Sequence, residues 1–468
     1  MSEIEKNEWV EKYESDLKIG IHSYFDADEI DEISAYYEMS DRIPAALSAI
    51  EYGLTLHPGN MDLELKHARY LLISKRVDDA ERIMRAIGRC NVEANLLMAE
   101  IHYLKDRFAE AEAILHELLS MEEITEEICF DSLDIISDYD SLEEVTRYVE
   151  SAISVLPDAR GILRELAMVY EDAQQYNLAI AIYNRLIDLD PYSAVDWFSL
   201  AKVYALLGRY DDAIEACDFA LTAREDDPTI LSFKGYCYYD SGRYSDAIEQ
   251  FLEFAKTDTD KAVAYELIAE CYAKMNENKK AVEYLTEALK LSPDNANLCY
   301  QLATNYYDLG DLPKCGEFLK KTIALDDTDA DAHAFLGELY FYDNKFAEAY
   351  RELTRALELD EEDIPSRLLL ADACRMLDLP EESLAHYERV LKQEPLDPTA
   401  SFSIIGAYYK VGDEEAAMRQ IARLEAILDD ESAIASMDEV KRSGWMQTRK
   451  MFDALKALLK DHLDNAAG

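Results

Sequence analysis

Few residues in this sequence are arranged so that they could carry out chemistry. The usual nucleophiles and metal ligands are represented by eight cysteines and eight histidines, with no CxxC pair and no two histidines four residues apart. The patterns GxxxxGKS/T, GxGxxG, GxSxG and HExxH, which bind phosphates or dinucleotides or build hydrolytic sites, do not occur. We therefore predict a protein that is not an enzyme and has no catalytic residues, no cofactor and no metal site.

The charge composition restricts the class of partner. The 468 residues contain 97 acidic and 47 basic side chains, which gives a net charge of -50. Such a charge repels the phosphate backbone of nucleic acids and attracts basic proteins. We expect protein partners and no nucleic acid.

Targeting features are also missing from the sequence. The first fifteen residues, MSEIEKNEWVEKYES, have no apolar segment typical of a secretory signal, and no run of 18 apolar residues occurs. The cysteines do not form a framework of close, even spacings. We predict no membrane insertion and a cytoplasmic location.

A repeating pattern organises the chain, and the segment from Ala194 to Asp227 shows it best. With Ala194 as position 1, Trp197, Ala201 and Tyr204 lie at positions 4, 8 and 11, which is one face of a helix. After Gly208 at position 15, a second apolar face begins with Ala at position 20. This pattern predicts two amphipathic helices joined by a turn.

The pattern recurs every 34 residues, with one step of 31 residues after Met61 that predicts a shortened second helix or turn near Gly88–Asn91. We expect an N-terminal capping helix in residues 1–26, divergent repeats in 27–159, regular repeats in 160–431, and a C-terminal capping helix and tail in 432–468. The predicted repeats begin at residues 27, 61, 92, 126, 160, 194, 228, 262, 296, 330, 364 and 398.

Each recurring position has a physical reason. Positions 8 and 20 hold mostly Ala or Gly, and we expect these small residues to face each other so that the two helices of a repeat approach closely. Position 11 is Tyr in eight repeats and fills the space between helix pairs. Position 15 requires a residue that leaves the helix, often with positive φ. It is occupied by Gly208, Gly242, Gly310, Gly412, Asn276, Asn344, Asp41, Asp106, Asp140 and Asp378.

The pattern of Trp197, Leu200, Ala201, Tyr204, Ala213 and Ala220, with Pro often at position 32, resembles the tetratricopeptide repeat (TPR) family. The resemblance covers residues 27–431. It implies an all-α fold, a right-handed superhelical α-solenoid of about twelve helix-turn-helix units with terminal capping helices. It also implies a scaffold or adaptor that binds proteins. The cysteines at packing positions of these repeats (Cys129, Cys217, Cys299, Cys315 and Cys374) are then expected to be buried and inert.

Both ends of the chain carry apolar helical faces. Trp9, Tyr13, Leu17 and Ile21 recur every four residues, and residues 434–463 contain Trp445 and Phe452. Either end could cap the array, since terminal repeats must cover an exposed core. The C-terminal segment has a second interpretation, which is self-association. Its basic residues would suit an acidic groove: Lys441, Arg442, Arg449, Lys450, Lys456 and Lys460.

Positions 5, 9 and 12 of the first helices form what we call the first-helix stripe. In the TPR family this stripe lines a concave groove for extended peptides or partner helices. An alternative is that its aromatic residues are half-buried fillers between neighbouring helices. The candidate partner-binding residues are Phe198, Tyr236, Tyr239, Glu270, Tyr300, Tyr307, Glu338, Phe341, Asp372, Phe402 and Tyr409.

Two functional hypotheses follow. The first is a scaffold that binds a basic or aromatic-anchored segment in an acidic, aromatic-lined groove. The alternative is an oligomeric assembly factor or chaperone-like subunit that docks through its terminal helices or its convex face.

Overall fold

The computed structural model describes residues 8–21, 23–122, 124–139, 141–257, 260–429 and 439–466, with the backbone alone at 440, 441 and 455–466. It consists of an N-terminal unit, residues 1–225, and a C-terminal unit, residues 226–468, which are described separately. The described residues form α-helices joined by turns, and they contain no β-strand.

The N-terminal unit is a succession of helices in which each one packs against the next in the sequence. One continuous hydrophobic core extends through it from Val10 to Val203. Its helices are α1 (Glu8–Ile19), α2 (Ala27–Met39), α3 (Ile43–Leu56), α4 (Met61–Ile73), α5 (Val77–Ile87), α6 (Val92–Tyr103), α7 (Phe108–Leu118), α8 (Glu126–Tyr139), α9 (Leu142–Ile153), α10 (Arg160–Asp172), α11 (Tyr176–Leu189), α12 (Ala194–Leu206) and α13 (Tyr210–Ala223).

The C-terminal unit continues the same alternation of first and second helices, with apolar clusters along the stack. The all-α solenoid of helix-turn-helix repeats is thereby confirmed. The helices of this unit are α14 (Pro228–Asp240), α15 (Tyr244–Lys256), α16 (Lys261–Lys274), α17 (Asn278–Leu291), α18 (Ala296–Asp308), α19 (Leu312–Leu325), α20 (Ala330–Tyr342), α21 (Phe346–Leu359), α22 (Ile364–Met376), α23 (Pro380–Gln393), α24 (Pro398–Val411), α25 (Glu414–Asp429) and α26 (Glu439–Ala466).

The first helices of the repeats begin at the expected residues, except that α16 begins at Lys261 rather than at residue 262. The shortening after Met61 lies in the second helix, because α5 has 11 residues whereas α13 has 14, and Gly88 ends α5 with a φ of 75°. The grouping into divergent and regular repeats stays a prediction.

The turn at position 15 has the same geometry throughout the described repeats. Every described residue at this position has positive φ, including Lys75 and Gln174, which the sequence does not single out. The next residue donates its N–H to the carbonyl of position 11, as Arg243 does to Tyr238 at 2.9 Å. This is the Schellman geometry that closes a helix C-terminus. Asp140, the corresponding residue of the fourth repeat, lies outside the described residues.

The position-11 tyrosine has a role beyond filling space. The Arg209 guanidinium lies 4.4 Å from the ring centroid of Tyr204, and Arg243 lies 4.7 Å from that of Tyr238. Such cation–π contacts are worth about 0.5–1 kcal/mol at exposed sites. They tie the residue after the turn back to the preceding helix, so the Tyr stabilises the turn as well as the core.

The small residues at positions 8 and 20 are almost completely buried. All nine alanines at position 20, from Ala46 to Ala417, have no exposed surface. We expected positions 8 and 20 to face each other. At two glycines, however, the nearest side chain belongs to position 24. A Cβ on Gly235 would lie 2.4 Å from the Phe251 ring, and one on Gly337 would lie 2.7 Å from Leu353. The small residue therefore makes room for a large one on the second helix.

Ion pairs support the divergent repeats around the short helix α5. The Glu81 carboxylate is buried and accepts hydrogen bonds from Lys105, from Arg107 at 2.8 Å and from Arg85 at 2.7 Å. These interactions, that of Lys105 above all, lower the pKa of Glu81 to about 2. The network joins α5 to the turn after α6, so polar contacts help to hold the repeats together where the regular spacing is interrupted.

At the two ends of the chain, only part of each expected apolar helical face packs against the array. In α1, Tyr13 is buried and its ring centroid lies 5.9 Å from that of Phe25, whereas Leu17 near the end of the helix and Ile21 beyond its last residue, Ile19, are exposed. The apolar face therefore packs only in its first half. In α26, Trp445 is fully buried and donates its indole N–H to the Leu396 carbonyl at 3.2 Å. Residues 430–438, and the side chains of Lys441, Leu455, Lys456, Leu458, Leu459 and Lys460, lie outside the described part.

Two glycine-to-alanine variants test the packing argument. Gly337→Ala is expected to lower the free energy of unfolding by about 1–3 kcal/mol, because its Cβ would overpack against Leu353. Gly316→Ala, the matched control, lies inside α19 with open space around its Cβ and should stabilise the chain by about 0.5–1 kcal/mol. Urea unfolding followed by circular dichroism measures both changes. Equal effects of the two variants would contradict the close-approach account.

Candidate partner-binding stripe

The first-helix stripe lies mainly on the C-terminal unit. It is formed by α14, α16, α18, α20, α22 and α24, whose neighbouring positions 4, 8 and 11 pack into the core. Positions 5, 9 and 12 follow at about 100° around each helix. Because positions 4, 8 and 11 face the core, the stripe lies at the edge of the core. Its side chains are therefore half-buried or exposed. Phe198 belongs to the N-terminal unit, where it is half-buried and lies 5.5 Å below the Lys202 ammonium.

The aromatic residues of the stripe differ in exposure. Tyr236, Tyr307 and Tyr409 expose 43%, 43% and 47% of their surface. The other aromatic side chains of the stripe on this unit are half-buried: Tyr239, Tyr300, Phe341 and Phe402. The interpretation as fillers between neighbouring helices therefore fits the half-buried residues better than the three exposed tyrosines.

Further aromatic side chains fix the orientation of these rings. Tyr236 meets Phe251 edge-on at a centroid distance of 5.6 Å. Tyr300 and Tyr307 both meet Phe335, at 6.4 and 5.2 Å. Edge-to-face pairs of this kind add about 0.5–1.5 kcal/mol to the energy of burial. The exposed rings of Tyr236 and Tyr307 are thus held in place before any partner arrives, which lowers the entropic cost of binding.

Phe335 is a site residue that the sequence pattern did not indicate. It occupies position 6, next to the stripe, and its half-buried ring supports two stripe tyrosines. The aromatic type at this position was a visible signal. Its contact with Tyr300, 35 residues earlier, depends on how consecutive repeats stack.

The acidic residues of the stripe are not equivalent. Glu270 accepts a 2.5 Å hydrogen bond from the Tyr239 hydroxyl. Asp372 accepts one from Tyr387 at 2.8 Å and is paired with Arg375 at 2.9 Å, so its charge is largely satisfied within the fold. No basic side chain of the described residues lies within 4 Å of the Glu338 carboxylate or of Glu270. Glu270 and Glu338 therefore remain as negative charges beside aromatic rings.

The electrostatic environment of the tyrosines agrees with this picture. Burial raises the pKa of Tyr236, and the nearby Glu270 and Glu266 carboxylates raise it further. Burial together with the Glu270 hydrogen bond also raises the pKa of Tyr239. Both hydroxyls therefore stay protonated and can donate hydrogen bonds near neutral pH.

Phe402 has a packing role at the end of the array. Its ring packs against the cluster that contains Ile405, Leu424, Trp445 and Phe452, which joins α24 and α25 to α26. The structure therefore does not bring Phe402 together with the exposed tyrosines as an accessible ring. The nearest accessible stripe residue on the same helix is Tyr409.

The described residues offer no site for metal chemistry, since they contain no group of three or more Cys, His, Asp or Glu side chains that could hold an ion. Seven of the eight cysteines are buried, among them all five that we expected at packing positions, and all eight are free thiols. Burial raises the pKa of several, that of Cys237 to about 11, which keeps them protonated and unreactive. No helix among the described residues is both long and apolar enough to span a bilayer.

Comparison with protein-family models identifies the repeats. One tetratricopeptide repeat model matches residues 272–339, and another matches residues 140–194, 234–296 and 368–433. A model described as anaphase-promoting complex, cyclosome, subunit 3 matches residues 172–254. The chain belongs to the tetratricopeptide repeat family. As a member of that family it is a protein–protein interaction scaffold, and such repeat proteins are in general not enzymes.

Several solved structures are similar to the chain. MamA is 28% identical with a TM-score of 0.33, over 35% of this chain and 95% of that one. The C-terminal part of a TPR repeat-containing protein from Cytophaga hutchinsonii is 20% identical with a TM-score of 0.42, over 53% and 98%. Cut9–Hcn1, an APC/C heterotetramer, is 14% identical with a TM-score of 0.34, over 94% and 92%. No curated protein sequence matches the chain.

Proposed function

We propose that this chain is a non-enzymatic cytoplasmic scaffold that binds a basic or aromatic-anchored segment of a partner protein along the first-helix stripe of its C-terminal unit. The observation that carries the proposal is the exposure of Tyr236, Tyr307 and Tyr409 along a stripe that also contains Glu270 and Glu338. Free thiols throughout the chain support a reducing compartment.

Exposed tyrosines suit this role for two reasons. Their large rings supply contact area with only two rotatable side-chain bonds to fix, so little entropy is lost on binding. Unpaired carboxylates next to them favour a Lys or Arg from the partner, which can also stack on a ring face. The net charge of -50 adds long-range attraction for a basic segment. Recognition would therefore combine aromatic anchoring with charge complementarity.

The exposed tyrosines are also the better targets for mutation. Tyr239 and Phe341 pack against apolar clusters of the core, so their truncation would disturb folding as well as binding. The variant Tyr236→Ala/Tyr307→Ala/Tyr409→Ala should keep the helical content. We expect it to weaken binding of a partner at least a hundredfold, since three aromatic anchors at about 1–2 kcal/mol each sum to about 3–6 kcal/mol.

The measurement has two stages. A partner is first captured on the full chain from the native organism and identified by mass spectrometry, and its affinity is then measured with purified proteins. The control variant Tyr24→Ala/Tyr192→Ala removes two tyrosines that are 62% and 81% exposed and lie outside the stripe. Undiminished binding by the stripe variant, or equal losses in both variants, would rule out the stripe as the binding surface.

A second candidate function is an assembly subunit that docks through its terminal helices or convex face. The match of residues 172–254 to a model named for a subunit of a large complex favours it. Residues 434–463 would be its self-association segment. Within the described part of α26, Met446 and Met451 are 58% and 46% exposed, whereas Trp445 packs inward. An outward apolar face is therefore available there.

Light scattering separates the two candidates. The scaffold proposal expects a 53.4 kDa monomer both for the full chain and for a chain without residues 434–468. A full chain that is dimeric or larger, with a monomeric truncated chain, would favour the assembly subunit. The variant Met446→Glu/Met451→Glu is the matched control, because it changes the outward face of α26 without removing the Trp445 contact.

A further inference from the structure

The N-terminal unit contains a cavity at the first-helix stripe of its own repeats, where Leu96 occupies position 5 and Glu100 and Asp134 occupy position 9. It has a volume of about 620 Å³ and lies between α4, α6 and α8, the first helices of three consecutive repeats. Cavities of about 300–1,000 Å³ are typical of binding sites. This one lies in the divergent repeats, which the sequence pattern had marked as irregular.

The lining of the cavity combines apolar and acidic side chains. Its apolar members are half-buried, except for Leu97, which is only 5% exposed. They are Val92, Leu96, Leu97, Ile128 and Ile135. The carboxylates are half-buried or exposed and come from α6 and α8: Glu93, Glu100, Glu127, Asp131 and Asp134. An apolar floor is thus surrounded by negative charge.

The negative charge of the carboxylates that line the cavity is not balanced by basic residues of the lining. Arg69 is the one basic residue in the lining. Within the described chain, none of the five carboxylates has a salt-bridge partner within 4 Å. Burial raises the pKa of Glu100 despite the nearby Arg69, and burial together with Asp131 and Asp138 raises that of Asp134. Burial therefore disfavours the charged forms of Glu100, which also accepts a hydrogen bond from Tyr139, and of Asp134, and a bound cation would relieve that cost.

A solvated acidic surface does not explain this arrangement. Carboxylates are common throughout a chain with 97 of them, and most need no ligand. A surface that serves only solubility, however, does not need the apolar side chains of Leu97, Ile128 and Ile135 beside its carboxylates. The described residues also provide no set of groups for a metal ion. A positively charged group on an apolar stem matches both the carboxylates and the apolar side chains of the lining.

We propose that this cavity binds a long cationic side chain, in particular arginine, from a segment of a partner protein. The methylene stem would cover the apolar floor, and the guanidinium would reach the Glu100 and Asp134 carboxylates. The inference rests on the proposed function, because the bound arginine is part of a partner protein. It uses a different unit and different residues, so each proposal can fail without the other.

The direct test uses a single cationic side chain as the probe. N-acetyl-arginine amide is titrated into the full chain carrying methyl-labelled leucine and isoleucine, and N-acetyl-citrulline amide serves as the uncharged ligand of the same shape. We expect saturable shifts of the Leu96, Leu97, Ile128 and Ile135 methyl signals with the arginine compound alone. Equal binding of citrulline, shifts confined to other regions, or no saturable binding would overturn the proposal.

Charge variants separate a specific site from general attraction to an acidic protein. Glu100→Gln/Asp134→Asn should weaken binding of the arginine compound about tenfold, since two charge-assisted hydrogen bonds are lost. Asp188→Asn/Glu215→Gln removes the same charge from exposed positions of the same unit and should leave the affinity unchanged. A similar loss in both variants would contradict a specific site. The stripe variant Tyr236→Ala/Tyr307→Ala/Tyr409→Ala should still bind the arginine compound, whatever its effect on partner capture.

Discussion

The close approach of the two helices in each repeat is the constraint on which the rest of the structure depends. In most repeats it is achieved by a residue with little or no side chain at position 8 of the first helix, which lets a large side chain of the second enter, whereas Leu133 and Ile405 occupy this position in two repeats. Gly235 against Phe251 and Gly337 against Leu353 show the geometry most directly. Because each repeat buries one face against its partner helix and another against the next repeat, the core is continuous through the N-terminal unit.

This constraint also decides which residues remain for binding. Once positions 4, 8 and 11 of a first helix are committed to the core, positions 5, 9 and 12 lie beside it and can be large without disturbing it. The tyrosines of the stripe are oriented by buried or half-buried neighbours such as Phe251 and Phe335. A rigid array of this kind can present several aromatic anchors at fixed spacing, which a flexible surface cannot do.

The fold could be predicted from the sequence because each repeat is a local unit with strong periodicity. The 34-residue spacing predicted the start of α16 to within one residue. The small residues indicated where the two helices of a repeat pack, and the Gly, Asn and Asp residues indicated the turns between them. Positive φ at Lys75 and Gln174 was not evident, since neither residue type favours it. At these two residues the geometry of the repeat imposes a positive φ that the residue type itself disfavours.

Contacts between repeats were much harder to predict. Arg164 forms a bidentate pair with the fully buried Asp196, at 2.6 and 2.9 Å, across 32 residues of sequence. The support of Tyr307 by Phe335 and the packing of the half-buried Phe402 against the cluster of α24, α25 and α26 depend in the same way on how consecutive helices stack. The cavity between α4, α6 and α8 needs three helices at once, so no single repeat reveals it.

The central claim is that partner segments lie on the first-helix stripe, and site-specific photo-crosslinking tests it most directly. The photoreactive residue p-benzoylphenylalanine replaces Tyr307 in one sample and Tyr192, which is 81% exposed and lies outside the stripe, in another. Each sample is irradiated with the purified partner, and the crosslinked products are identified by mass spectrometry. We expect crosslinks to the partner from position 307 and none from position 192. Crosslinks from position 192 alone would contradict the account.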